Sequence, residues 1–407
     1  MYKKIVIISS GQPSANPRAV KEAILLSQNS FDVTFIYCPL SPWADAFDEN
    51  LFAENDSIKW IRVGFHPIKN KLGYWYARAR KKSWFIINKF FQNKFESSVK
   101  STVLFSQELL QEGLKHKADL YIGHNLGAIA AVYMSAKKYN AKTGFDAEDF
   151  HRGEFTDNDV QRQISISIEN NFFPKMDYCT VASPLIGEAY REIFPAQLFT
   201  VINNVFSIKY LKEENTTKQK KTMDLFWFSQ FIGSKRGLET VLLALNQCNE
   251  LDIKLHLLGN VSESYKRNIL SILNNKSKIS FLPPAASEDI FQIARNYDVG
   301  IASEPAFSEN NNMALSNKIY TYLLSGNALL LSSTKAQSAF FEEYPKVGIL
   351  YKLNDDQDLA HGFKKLYNDR LLLEKMKENS LQLANILNWE NEGKIFLTIV
   401  KTALNSN

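Results

Sequence analysis

Residues 224–245 read DLFWFSQFIGSKRGLETVLLAL. A short apolar run, Leu225 to Phe228, leads into a loop holding Gly233 and then into a segment whose leucines and valine recur at helical spacing. A continuous apolar run of this length marks a strand buried on both faces, and the change to a 3.6-residue period marks a helix laid over it. Strand, glycine loop and helix in that order are one step of a parallel α/β sheet.

The same step recurs along the chain. Upstream, strands are expected at 3–9, 32–38, 58–64, 118–124, 143–148, 178–183 and 198–204, with helical stretches such as Ala15 to Gln28, Leu126 to Lys138 and Pro184 to Ile193 between them. Downstream, strands are expected at 224–229, 254–259, 279–283, 299–305, 328–333 and 347–351. Residues 206–222, SIKYLKEENTTKQKKTM, interrupt the alternation with a polar run that has no apolar period. The expected organisation is a first domain over 1–205, a linker over 206–222, a second domain over 223–385, and a helical end, 386–407, that returns to the first domain. The fold class is α/β, with two doubly wound Rossmann-like domains facing a cleft.

Composition bounds the function. At 407 residues and 45% hydrophobic the chain has material for two cores and is too apolar to be disordered. Its formal charge of +5 is small for its size, and no nucleic-acid-binding module is recognisable, so no nucleic-acid partner is expected. Cys38, Cys179 and Cys248 are odd in number and far apart, which suits a reducing, cytoplasmic setting better than a disulfide scaffold. The apolar run Ile5 to Ile8 is too short for a signal segment, and nothing approaches the roughly 18 apolar residues of a membrane span.

Chemistry is sought at the carboxyl ends of the strands, where loops expose backbone N–H groups and helix starts carry partial positive charge. SSGQPSANPRA (9–19) places Gly11 in such a loop. In FSQFIGSKRGLE (228–239), Lys235 and Arg236 stand immediately before a helix, where the macrodipole disfavours cations. Lys318 in SNKIYTYLLSG (316–326) stands in the first turn of another helix. Two such helix starts point to one anion site of diphosphate size. Neither a P-loop nor a GxGxxG after the first strand is present.

These segments resemble glycosyltransferases of the GT-B fold, in particular the large retaining family 4, over nearly the whole chain. In that family two cations of the segment FSQFIGSKRGLETVLLAL grip the diphosphate of a nucleotide sugar. Here Gln230 stands at the first of those places and Arg236 at the second, with Lys235 beside it. The resemblance implies a base contact from the loop after Phe281 and donor contacts from Asn317 and Lys318. The family's paired glutamates correspond to Met313 and Thr321, so the ribose partner is replaced by Thr321. Glu304 or Glu309 is left to meet the donor sugar, Glu304 being directly at the strand end. IGHNLGA resembles the loop whose histidine touches the donor sugar, here His124. With Arg236, Lys318 and Glu304, His124 makes up the implied catalytic set.

GFDAEDFHRGE (144–154) is expected to line the acceptor side through Asp146, Glu148, Asp149 and His151. Asp157, Asn158 and Asp159 read as a helix cap more simply than as a metal site, and neither a metal nor another cofactor is expected. The partners implied are a nucleotide-sugar donor and a glycan or lipid-linked acceptor, in cell-surface polysaccharide synthesis. In 66–95 eight cations alternate with aromatics and no acid occurs, which suits peripheral contact with an anionic membrane. A sugar-nucleotide epimerase and a non-catalytic nucleotide- or glycan-binding protein of the same fold stay open.

Overall fold

The computed structural model describes residues 2–90, 95–156, 159–211 and 221–406. Seven strands, β1 Lys4–Ser9, β2 Asp32–Tyr37, β3 Lys59–Arg62, β4 Leu120–His124, β5 Lys142–Ala147, β6 Tyr178–Val181 and β7 Phe199–Val201, form one sheet in the order 3-2-1-4-5-6-7. Six more, β8 Met223–Ile232, β9 Ile253–Val261, β10 Ile279–Leu282, β11 Val299–Ala302, β12 Ala328–Ser332 and β13 Gly348–Tyr351, form a second in the order 10-9-8-11-12-13. All the pairings are parallel. Both sheets therefore reverse their winding between their first and fourth strands, β1 beside β4 and β8 beside β11. In doubly wound sheets the ligand crevice opens at the carboxyl ends of that pair.

The chain divides into two compact units, Met1–Ile202 with Gly393–Asn407, and Asn203–Glu392. The last helix, Trp389–Asn405, thus lies mostly with the first unit. The expected linker is ordered at its start and belongs there to the second unit. Tyr210 stacks on Phe291 at 4.4 Å, and the Ser207 hydroxyl donates to Glu390 at 2.6 Å. Residues 212–220 of that linker, Asp157 and Asn158, and residues 91–94 of the basic segment lie outside the described residues.

Strand burial explains the apolar runs. In β8 alternate side chains feed opposite faces of the sheet: Met223, Leu225 and Trp227 join one core, and Phe226 joins the other. The helix Asn317–Ser325 is buried from Ile319 onward and is closed by Gly326 at φ 69, the left-handed conformation that glycine tolerates at a helix end. Tyr322 seats this helix on the sheet. Its hydroxyl donates to the carbonyls of Phe226 and Ile301, both at 3.2 Å, and its ring fills the space above Gly300, where a Cβ would lie 2.2 Å from a ring carbon. Gly300→Ala is expected to cost about 1–3 kcal/mol by overpacking, read as a lower urea midpoint of unfolding; an unchanged midpoint would contradict this packing account.

Candidate functional site

β8 continues past its pairing with β11 and stays beside β9 through an irregularity between Phe228 and Phe231. Beyond it, Lys235 sits at φ 61 and Gly237 at φ 71. A Cβ on Gly237 would lie 2.7 Å from the carbonyl oxygen of Ser303, so only glycine lets the loop close onto the end of β11. The Ser303 hydroxyl completes the clamp by donating to the carbonyl of Arg236 at 2.9 Å. Lys235 is a non-glycine residue in left-handed conformation, as is Ala306 at φ 52 in the loop after β11. Such strain is retained where the surroundings enforce it. Lys235 and Arg236 are exposed, and neither side chain makes an ion pair among the described residues. The helix Leu238–Asn246 that follows has no side-chain cap, which leaves its first N–H groups available.

The residue after Ser303 is Glu304. Its carboxylate accepts from Lys318 Nζ at 2.9 Å, from the Ser316 hydroxyl at 2.9 Å and from Asn311 Nδ2 at 3.3 Å. Its backbone N–H donates to the Ser332 hydroxyl at 2.8 Å. Burial alone would raise the Glu304 carboxyl, but the Lys318 ammonium and these hydrogen bonds hold it below the ordinary range. Lys318 also lies 5.5 Å from the centre of the buried Trp227 ring. Lys318 is therefore not the bare cation expected at a helix start; Glu304 neutralises it. Ser316, at the cap position of the Asn317–Ser325 helix, gives its hydroxyl to Glu304 instead of capping. Two uncapped helix starts, Leu238 and Asn317, thus meet the end of β11, with Arg236 and Lys235 supplying the unpaired positive charge.

The remaining expected donor residues divide. Gln230 and Asn317 are exposed. Glu309 is exposed in the first turn of the short helix Glu309–Met313. Thr321 is 2% exposed and its hydroxyl donates to the Asn317 carbonyl of its own helix at 3.5 Å. Phe281 on the edge strand β10 packs half-buried against the core, with Lys266 over its ring at 5.1 Å.

In the first unit the corresponding strand ends hold a buried charge network. The His124 ring has Nε2 3.0 Å from Glu22 and Nδ1 3.2 Å from Glu148 and 3.4 Å from Asp146. Arg18 donates through Nη2 to Asp146 at 2.7 Å and through Nη1 to the Ile202 carbonyl. The Thr180 hydroxyl reaches Asp146 at 2.6 Å, and Asn16 Nδ2 reaches Glu148 at 2.6 Å. Burial would push the imidazole down, yet the Glu22 charge and the ring's hydrogen bonds to the Asp146, Glu148 and Glu22 carboxylates set it well above its usual value. Burial likewise opposes the Asp146 anion, and Arg18 overrides it and keeps that carboxyl low.

His124 and Asp146 are both 0% exposed. Glu148, half-buried, is the member of the network that reaches solvent. His151 is buried too, held by Glu154 at 2.7 Å; Asp149 stays half-buried. Gly11 lies in the loop after β1, which Ser9 ties to Asn125 at the end of β4 at 3.3 Å. Asp159 caps the helix Val160–Phe172 through the N–H of Gln161. Among the described residues Glu22, His124 and Asp146 bring carboxylate and imidazole atoms within 4.8 Å, as a metal site would. Arg18 donates to Asp146 from the same buried network. Arg18 and Glu22 escaped the sequence reading; their signal was a charged pair four residues apart on a helix packed over the sheet.

The chain matches no protein-family model and no curated protein sequence. Solved structures resemble it along nearly its whole length. HepE of Anabaena, solved in complex with UDP and glucose, superposes with a TM-score of 0.71 at 13% identity, covering 98% of this chain and 100% of that one. Sucrose-phosphate synthase of Thermosynechococcus elongatus gives 0.73 at 14%, with 98% of each chain covered. A glycosyltransferase from Rickettsia africae gives 0.70 at 13%, with 100% of each covered. The fold is that of the GT-B glycosyltransferases. Two parallel α/β sheets wound alike are the feature shared.

Burial would lower His151, but Glu154, with Asp149 and Glu169 nearby, pushes it up to about 9. A raised folded value stabilises fully below the unfolded value near 6.5 and is lost as pH rises through the folded one. Stability is therefore expected to fall between about pH 6.5 and 9 by on the order of 2–3 kcal/mol, and His151→Gln is expected to flatten that part of the profile. An equally steep fall in the variant would assign it elsewhere.

Proposed function

We propose that the protein transfers a sugar from a nucleotide-sugar donor to a glycan or lipid-linked acceptor, with the donor's diphosphate bound at the carboxyl ends of β8 and β11. The observation that carries this reading is the Ser303 hydroxyl bond to the Arg236 carbonyl. It joins the cationic loop to the strand end whose next residue holds Lys318. The UDP found in HepE, a neighbour in fold, supports a nucleoside diphosphate as the ligand class.

The chemical step breaks the bond between the anomeric carbon and a phosphate oxygen. Negative charge grows on that oxygen, and in this reading Arg236, Lys235 and the N–H groups of the two uncapped helix starts stabilise it. Glu304 holds the Lys318 ammonium and is the carboxylate that this reading assigns to the donor sugar. Retention follows when the departing phosphate takes the acceptor's proton on the face it leaves, a route that uses no separate carboxylate base. These cations and N–H groups offset the diphosphate's charge without a metal. In the first unit Glu148 and Asp149 would meet the acceptor, with His124 and Asp146 as positioning residues acting through Glu148. The three buried free cysteines suit a cytoplasmic setting, and the reaction belongs by this reading to cell-surface polysaccharide synthesis.

A second reading, a nucleotide- or glycan-binding protein without turnover, draws on Thr321, whose hydroxyl is spent within its helix. Calorimetric titration with UDP, GDP and ADP, followed by donor hydrolysis, separates the two. One nucleoside diphosphate is expected to bind, with Arg236→Ala lowering turnover by about 10² or more. Binding without hydrolysis of any matching donor selects the second reading, and no binding at all sinks both.

A further inference from the structure

The helix Lys71–Phe90 has three faces of different chemistry. One is bolted to the first unit: Ala77 and Asn88 are buried, and Asn88 exchanges hydrogen bonds with Ser97 and Ser101 at 2.8 Å each. Arg80 forks onto Glu108 at 2.8 and 2.6 Å, and Lys100 lies 4.4 Å over the Trp84 ring. Gly73 allows Phe65 to pack beneath the helix start, where a Cβ would lie 2.5 Å from its ring. These contacts fix the helix and decide which side chains turn outward.

The second face is apolar and open. Leu72 is 87% exposed, Trp75 60%, Tyr76 63%, Ile86 43% and Phe90 73%. They recur at the three- and four-residue spacings that line one side of a helix, with the small residues Ala79 and Ser83 between them. Beside them runs a third face of exposed cations, Lys71, Arg78, Lys82 and Lys89, at spacings of four and seven. No acidic residue occurs anywhere in 66–90. Arg78 lies 4.9 Å over the Trp75 ring, so even the boundary between the stripes is cation on aromatic.

We propose that this face docks on an anionic phospholipid surface, with the apolar stripe in the headgroup boundary and the basic stripe on lipid phosphates. A soluble helix does not leave five large apolar side chains in a row to water without use. Aromatic and aliphatic side chains flanked by Lys and Arg are the composition of helices that lie in the membrane interface. Charge decides the occupant. A second copy of the chain would bring a like-charged stripe against this one, because a two-fold contact pairs each patch with itself, whereas an anionic bilayer is complementary to it. No helix among the described residues is long and apolar enough to cross a membrane, so the contact is peripheral. The inference is independent of the proposed transfer reaction, although it would bring the protein to a lipid-linked acceptor.

The full chain is tested by co-sedimentation with vesicles of phosphatidylcholine alone and of phosphatidylcholine mixed with phosphatidylglycerol, with nucleotide titration run in parallel. Binding is expected only to the mixed vesicles and is expected to weaken with salt. Trp75→Ser with Phe90→Ser should lower the partition constant about tenfold or more. Lys71→Ser with Lys82→Ser should do the same, at about fivefold per cation. Circular dichroism and nucleotide binding should stay at the wild-type level in both. Absence of binding at low salt, equal binding to both vesicles, or unaffected binding in both variants would overturn the proposal. Wild-type dimerisation lost in the Trp75→Ser and Phe90→Ser chain would overturn it in favour of self-association.

Discussion

Glu304 decides the shape of the second unit's carboxyl edge. It is a carboxylate with 8% exposure, and an anion so placed persists only with a cation and hydrogen bonds around it. It obtains them from Lys318, Ser316 and Asn311, three residues on the chain that follows β11. Meeting that demand folds the loop back and brings the start of the Asn317–Ser325 helix to the strand end. The same demand takes the hydroxyl that would have capped the helix. The helix start is left without a side-chain cap, and Ser303 holds the Arg236 loop to the same strand end. The edge where the proposed function binds its anion thus takes its form from satisfying a buried carboxylate.

The first unit solves a similar problem with a different outcome. Its switch-point strands end in His124 and, one strand further, Asp146, and both are covered by Arg18 and Glu22 from the helix Pro17–Gln28. The groups there bond one another, and Glu22 Oε1 has no hydrogen-bond partner among the described residues. Such a network rigidifies a strand edge and offers its neighbourhood one accessible carboxylate, Glu148. The two units share a winding but differ in what their edges present: carboxylate on one, N–H groups and guanidinium on the other.

The strands were legible because both faces of each sheet are covered, which forces near-continuous apolar runs. KIVIIS and ALLLS are examples, each buried in five positions. β8 was longer than its apolar run suggested, because its last turns carry exposed Gln230 and Phe231 past an irregularity that no residue pattern announces. Pairings across the sequence were not legible. Arg18 finds Asp146 128 residues away, and charged side chains are so seldom buried that a helix carrying Arg18 and Glu22 reads as solvated. The cationic character of the Lys71–Phe90 segment was plain from composition. That Arg80 is committed to Glu108 while Lys71 and Lys82 make no ion pair among the described residues depended on helix packing.

Lys318 carries the same lesson at the candidate site. Its position in the first turn was read correctly as a conflict with the helix dipole, but the conflict is relieved inside the protein, fourteen residues upstream at Glu304. In the proposed function the loop 229–240 and the segment 303–318 act as one anion-binding edge. Hydrogen–deuterium exchange with and without the nucleoside diphosphate that binds measures this most directly. Protection confined to those two segments is the predicted result, and protection elsewhere, or of only one of them, would contradict it.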